Sequence, residues 1–384
     1  MIPYGTQSIS QKDIDQVIDV LKSKWLTQGP MVPKFEKIVA KYSNASYAVA
    51  TNSATSSLHI SCLALELKSG DIVWTSPNTF VASSNAALYC GAKVDFIDIC
   101  PKTYNLDIDA LEEKLILAKK ENKIPKIVIA VHYAGQSCDM EKIFQLSKKF
   151  GFKIIEDASH AIGAKYKDFP VGSCKFSDIT VFSFHPVKII TSGEGGMALT
   201  NNKDLYEKLY RLRSHGISSK EEFMFNMPAQ ELWNYQQIDL GFNYRMTDLH
   251  AAIGYSQMDR IDSFIKKRND IAKKYNKELS IENLTLPYQC PKTKSSYHLY
   301  PLRVKNNLRN ELYSFLLNSG VGVNLHYIPV YLQPFYKNLG FKRGHCIEAE
   351  KLFNEIISIP IFPDLRTKDQ EFIVEQIKSF FSKV

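Results

Sequence analysis

DIVWTS (71–76), AKVDFIDI (92–99), KIVIAVHY (126–133), FKIIED (152–157) and ITVFSF (179–184) decide the fold of this 384-residue chain. Each is a short run rich in Val, Ile and Phe. Between them lie amphipathic stretches such as LDIDALEEKLILAKK (106–120) and DMEKIFQLSKKF (139–150), with apolar residues at helical spacing. Near-continuous apolar strands that alternate with helices read as a parallel sheet covered on both faces. Working toward the N-terminus, ASYAVA (45–50) is a further strand. NSATSSLHISCLALEL (52–67) is a helix that opens on a Ser/Thr-rich cap. DIDQVIDVLKSK (13–24) and KFEKIVAKYS (34–43) precede it as helices. Toward the C-terminus, residues 247–279 read as polar helix, SYHLYPLRV (296–304) as strand, and three more helical patterns follow. The expected class is α/β, with a large three-layer domain around a mostly parallel central sheet plus a smaller C-terminal α+β domain. The N-terminal segment and large domain are expected over 1–250, and the small domain over 251–384.

Composition narrows the function. Hydrophobic residues make up 45% and charged residues 23%, which suits a globular chain and argues against disorder. The seven cysteines are an odd number and contain no C-x-x-C pair. Neither a disulfide framework nor a metal site is expected, and a reducing cytoplasm is the expected location. The opening MIPYGTQSIS (1–10) has no basic or apolar leader region. No apolar run approaches the roughly eighteen residues of a membrane helix. Neither secretion nor a membrane partner is expected. The net charge is +8, but stretches such as EEKLILAKKENK (112–123) interleave charge with apolar residues at helical spacing. That is the pattern of solvated helix faces, so no nucleic-acid partner is expected. A phosphorylated or carboxylated small substrate suits a basic cleft equally well.

The chemistry is concentrated between residues 154 and 196. KIIED ends in Asp157, followed closely by His160, and TVFSF leads through Ser183 to Lys188 and then IITSGEGGM (189–197). Ligands of open parallel sheets sit at the carboxyl ends of the strands, where Asp157 and Ser183 both fall. A lysine framed by apolar residues and glycines can lose its proton more readily and act as a Schiff-base nucleophile. An acid beside the ring nitrogen of pyridoxal phosphate keeps that nitrogen protonated. On spacing alone, Asp157 could equally cap a helix, Lys188 could be a solvated charge, and GEGG could be a turn.

Five motifs decide between these readings: TNSATSSLH (51–59), EDASHAIGAKY (156–166), VFSFHPVKIITSGEGGM (181–197), RSHGI (213–217) and GFNYRMTDLHAAIG (241–254). With PYG (3–5), LTQGP (26–30) and NLHYIPVYLQPFY (324–336), they make the chain resemble the DegT/DnrJ/EryC1/StrS sugar aminotransferases along nearly its whole length. The resemblance implies a fold-type-I aminotransferase dependent on pyridoxal 5′-phosphate. SSYHLYPLRV and HYIPVYLQPFY are most similar to the pseudaminic-acid branch. That branch aminates C4 of a UDP-linked 4-keto-6-deoxy-N-acetylhexosamine with L-glutamate, giving UDP-4-amino-4,6-dideoxy-N-acetyl-β-L-altrosamine. A bacillosamine, perosamine or dTDP-sugar type of substrate is the alternative within the family. A catalytically silent sugar-nucleotide-binding protein is the alternative outside it. Lys188 argues for transamination, because relatives with histidine at that position perform dehydration or lose turnover.

The resemblance also implies roles for individual residues. Lys188 matches the cofactor lysine, Asp157 the partner of the ring nitrogen, and His160 the group near the phenolic oxygen. Ser53, Ala54, Thr55 and Ser183 match the phosphate site, where helix N-terminal N–H groups and hydroxyls meet a dianion. Phe80 matches the aromatic that stacks on the ring. Asn243 matches a residue that reaches the phosphate of the neighbouring subunit, which implies a homodimer with shared active sites. Arg245, Tyr4, Lys24, Thr27, His326 and Tyr327 match positions toward the nucleotide-sugar. Blander roles stand beside these: a structural hydrogen bond for His160, an N-cap for Ser53, core packing for Phe80 and an interface ion pair for Arg245. His132, His185, His215 and His298 receive no catalytic role.

Overall fold

The computed structural model describes residues 1–219, 221–223 and 233–383. The apolar runs form one seven-stranded sheet. Its strands are β1 (Tyr47–Thr51), β2 (Ile72–Thr75), β3 (Lys93–Phe96), β4 (Ile127–Val131), β5 (Lys153–Asp157), β6 (Ile179–Ser183) and β7 (Gly196–Thr200). The spatial order is β1-β7-β6-β5-β4-β2-β3. Neighbours pair in parallel from β6 across to β3, whereas β7 is antiparallel to both β6 and β1. The sheet is therefore mostly parallel, as expected for an α/β chain.

Strand alternation explains the layers. Ile127, Ile129, Ile155 and Val181 point to one face, where they pack with α3 (Ala54–Ala64), α4 (Ala82–Tyr89) and α7 (Lys203–Leu212). Val128, Ala130 and Ile154 point to the other, beneath α5 (Ile108–Lys120) and α6 (Met140–Phe150). At the β1 end that second face is covered by α2 (Met31–Ser43) and α8 (Asp248–Met258), with α1 (Gln11–Lys22) packed on α8.

Beyond this body lies a three-stranded antiparallel sheet made of Leu284–Thr285, Tyr300–Val304 and Ile356–Ile359. Helices Arg309–Asn318 and Thr367–Phe381 share its apolar core. The stretch read as helical over 247–279 is two helices, α8 and α9 (Ile261–Glu278). The turn between them tightens to i→i+3 bonds, Asp259 N–H to Ser256 O and Arg260 N–H to Gln257 O. Lys12 and Asp13 of α1 pair with Asp259 and Arg260 at this corner. Residue 250, the expected domain edge, lies inside α8. The change of core falls within α9: Ile261, Phe264 and Ile265 join the large core, whereas Ile271, Ala272 and Tyr275 join the small one.

Candidate active site

The carboxyl ends of β5 and β6 open into a cavity of about 960 Å³. Asp157 is the last residue of β5 and is 5% exposed. Its carboxylate accepts from Ser83 Oγ at 2.6 Å on one oxygen, and from Ser159 Oγ at 2.6 Å and Ser159 N–H at 3.2 Å on the other. Lys188 rides on the excursion between antiparallel β6 and β7, where the pairing of Phe184 N–H with Gly195 O closes the loop. Burial pushes the Lys188 ammonium down to about 8, although Asp157 acts in the opposite direction. The amine is thus primed for proton transfer.

The opposite side of the cavity carries aromatic rings and imidazoles. His160 Nδ1 accepts from Ala134 N–H at 3.3 Å, so its neutral ring carries the proton on Nε2. That nitrogen donates to the Tyr327 oxygen at 3.1 Å, leaving the Tyr327 O–H free to donate elsewhere. Burial, then Lys188 and His326, push the His160 pKa well down, which keeps the ring neutral. His326 is likewise pushed down to about 3, by burial and Lys188, while Ser358 Oγ lies 2.9 Å from its Nδ1. Tyr4 packs its ring 5.6 Å from that of His326.

The floor is the N-terminus of α3. Ser53 caps it, accepting from Ser56 N–H at 3.1 Å. Asn52, Ser53, Ala54 and Thr55 face the cavity, where first-turn N–H groups lack intrahelical acceptors. β7 comes so close to this floor that a Cβ on Gly196 would sit 2.4 Å from Ser53 C and O and from Ala54 N.

The cavity therefore gathers Lys188, Asp157, His160, Ser183, Phe80, Tyr4, His326 and Tyr327 with the Ser53–Thr55 floor. Phe80 is 61% exposed, so its ring is a free face beside the site rather than core packing. Lys24, Thr27, Asn243 and Arg245 do not line it. Lys24, Thr27 and Asn243 are exposed, and Arg245 Nη1 donates to Ser214 Oγ at 3.1 Å.

With this geometry in hand, comparison with known proteins decides the class. The profile of the DegT/DnrJ/EryC1/StrS aminotransferase family matches residues 7–378. The chain belongs to that family. It is a pyridoxal-phosphate-dependent aminotransferase. It is 40% identical to the UDP-4-amino-4,6-dideoxy-N-acetyl-beta-L-altrosamine transaminase of Campylobacter jejuni serotype O:23/36, covering all of this chain and 98% of that protein. It is 33% identical to the GDP-perosamine synthase of Escherichia coli O157:H7, covering 99% of each. Among solved structures it superposes on Helicobacter pylori PseC, an aminotransferase of pseudaminic acid biosynthesis, with TM-score 0.90 and 29% identity over the full length of both.

The aminotransferase's own residues fit the cofactor. A lysine with a lowered pKa faces a buried carboxylate, an exposed aromatic ring stands beside them, and a helix N-terminus opens as a phosphate cradle. The glycine at 196 lets the strand reach that cradle. Sequence reasoning left two functional features unassigned. His298 Nε2 lies 3.5 Å from Lys188 Nζ, and no local pattern in the sequence announces it. Asp248 accepts from the N–H groups of Gly29 and Met31 at 2.6 and 2.7 Å, tying the GFNYRMTD motif to LTQGP. Its position at the start of α8 was a signal for a cap, but of its own helix rather than of α2. No described helix is long and apolar enough to cross a membrane.

Proposed function

We propose that this aminotransferase transfers the amino group of L-glutamate to C4 of a UDP-linked 4-keto-6-deoxy-N-acetyl-L-hexosamine. The product is UDP-4-amino-4,6-dideoxy-N-acetyl-β-L-altrosamine, a precursor of pseudaminic acid. The observation that carries this reading is full-length similarity to a transaminase of that name, together with a buried lysine opposite a carboxylate. A cytoplasmic location with the seven cysteines reduced belongs to the same reading; all seven are free thiols.

Lys188 moves a proton off the donor's α-carbon in the first half-reaction and onto sugar C4 in the second. Pyridoxal phosphate, when bound, supplies the electron sink for both. Asp157, held by Ser83 and Ser159, keeps a proton on the cofactor's ring nitrogen. Ser53, Ala54, Thr55 and Ser183 would hold its phosphate, Phe80 would stack on its ring, and His160 with Tyr327 would lie toward the phenolic oxygen. Tyr4, His326 and Tyr327 contact the sugar nucleotide. Asn243, exposed and outside its own cavity, acts on the neighbouring subunit's cofactor site in a homodimer.

Selection between sugar epimers rests on single hydrogen bonds, because an unpaired buried polar group costs about 1–3 kcal/mol. The test is kcat/KM for the L-arabino 4-keto epimer against the D-xylo epimer, with the same UDP and glutamate. We expect a preference of at least about tenfold for the L-epimer. A preference for the D-epimer, or for a GDP-linked sugar, moves the enzyme to another branch and leaves Lys188 chemistry intact.

A further inference from the structure

We propose that His298, through its neutral imidazole, is the hydrogen-bond partner that positions the Lys188 amine between proton transfers. The inference rests on reading Lys188 as the cofactor lysine. His298 is 4% exposed, and its Nε2 lies 3.5 Å from Lys188 Nζ. Its ring packs 4.4 Å from the ring of His160, in a tilted contact.

The backbone around His298 is held from several sides. Arg268 Nη1 donates to the carbonyls of Tyr297 and His298, each at 3.2 Å, and to Ile361 O at 2.9 Å. Ser296 N–H donates to Gly135 O at 3.1 Å, and Ser296 Oγ to His160 O at 2.9 Å. The contact with Gly135 is close: a Cβ there would meet Ser296 Oγ at 2.7 Å, and its φ is +101°. The imidazole is therefore carried into the cavity on a clamped segment.

The tautomer makes the case specific. In the proposed arrangement Lys188 donates to Nε2, 3.5 Å away, and the ring proton sits on Nδ1. Buried Nδ1 has no hydrogen-bond partner. A buried polar atom left unsatisfied calls for an explanation, and here the ring's orientation serves Lys188 rather than its own pairing.

The charged and titratable groups facing His298 all disfavour a second proton on it. Lys188, His160, Arg268 and His326 act in that direction, after burial itself. Tyr327 is bonded to His160, and Asp157 faces Lys188 rather than His298. A neutral acceptor orients the amine without trapping it protonated, whereas a carboxylate in the same place would raise its pKa.

The test compares His298→Gln, His298→Asn and His298→Ala in the holoenzyme. A glutamine amide reaches the neighbourhood of Nε2, but an asparagine amide reaches only that of Nδ1. One readout is the pH midpoint of the visible absorbance of the lysine-bound cofactor, and the second is kcat against KM for glutamate. We expect Asn and Ala to move the midpoint by about one unit, a tenfold change in protonation ratio. Their kcat should fall about tenfold or more, with glutamate KM within about twofold. Gln should restore most of both. Equal losses in all three variants, or a midpoint unmoved in both Asn and Ala, overturns the proposal. Borohydride reduction and peptide mapping of the parent enzyme separate the two readings: cofactor on a different lysine defeats the Lys188 assignment itself.

Discussion

One wall of the cavity is ionic and borne on the central sheet; the other is neutral and assembled from loops. Asp157 and Lys188 come from β5 and the β6–β7 excursion, and serine hydroxyls hold the carboxylate in place. Opposite them, His160, His298 and His326 are buried, and burial is the first cause of each lowered pKa. The difference has a chemical consequence. Neutral rings crowd Lys188 with hydrogen-bonding groups that add no compensating anion, and burial brings its proton loss down to about pH 8.

The most severe way to break this division is Lys188→Ala. Proton transfer by a positioned side chain is worth about 10²–10⁴-fold, and loss of covalent attachment adds to that. We expect no turnover above background, with no cofactor recovered on the peptide containing residue 188 after borohydride reduction.

Asp157→Asn tests whether the ionic wall needs its charge. An opposite charge at close range shifts a partner's pKa by about 1–3 units, so turnover should fall about 10- to 1000-fold while cofactor binding persists. Near-normal turnover would show that another group protonates the ring nitrogen.

Gly196→Ala sharpens the comparison at the floor, since backbone atoms 2.4 Å from the added Cβ cannot yield as a side chain would. We expect a loss of about 1–3 kcal/mol in urea unfolding and weaker phosphate binding, read as a higher cofactor dissociation constant.

The last test is the pH dependence of stability in cofactor-free protein. Lys188 titrates near 8 in the folded chain and at the ordinary 10.5 when unfolded. Below pH 8 both states hold the proton and the folded state bears the whole penalty of burying it. Between these values the unfolded chain binds more protons, so the Lys188 contribution to stability rises with pH. Urea midpoints of the parent protein should therefore gain on those of Lys188→Met between pH 8 and 10; parallel profiles would place the amine in solvent.

Local pattern carried the fold because each apolar run and each helical face is written within about a dozen residues. The sequence by itself determined the α/β class and the strands ending at Asp157 and Ser183, and, through family resemblance, singled out Lys188 and the α3 cap as candidates. Only the tertiary structure decided what stands against them. Lys188 and His298 are 110 positions apart, and their meeting depends on how the small domain seats on the large one. Arg268 is another such case: it lies in the stretch read as polar helix, yet it is fully buried with three carbonyls on one nitrogen. Its position on α9, where the helix passes from one core to the other, explains the reversal. Periodicity tells which face of a helix is apolar, but not which backbone carbonyls another part of the chain will bring to its polar side.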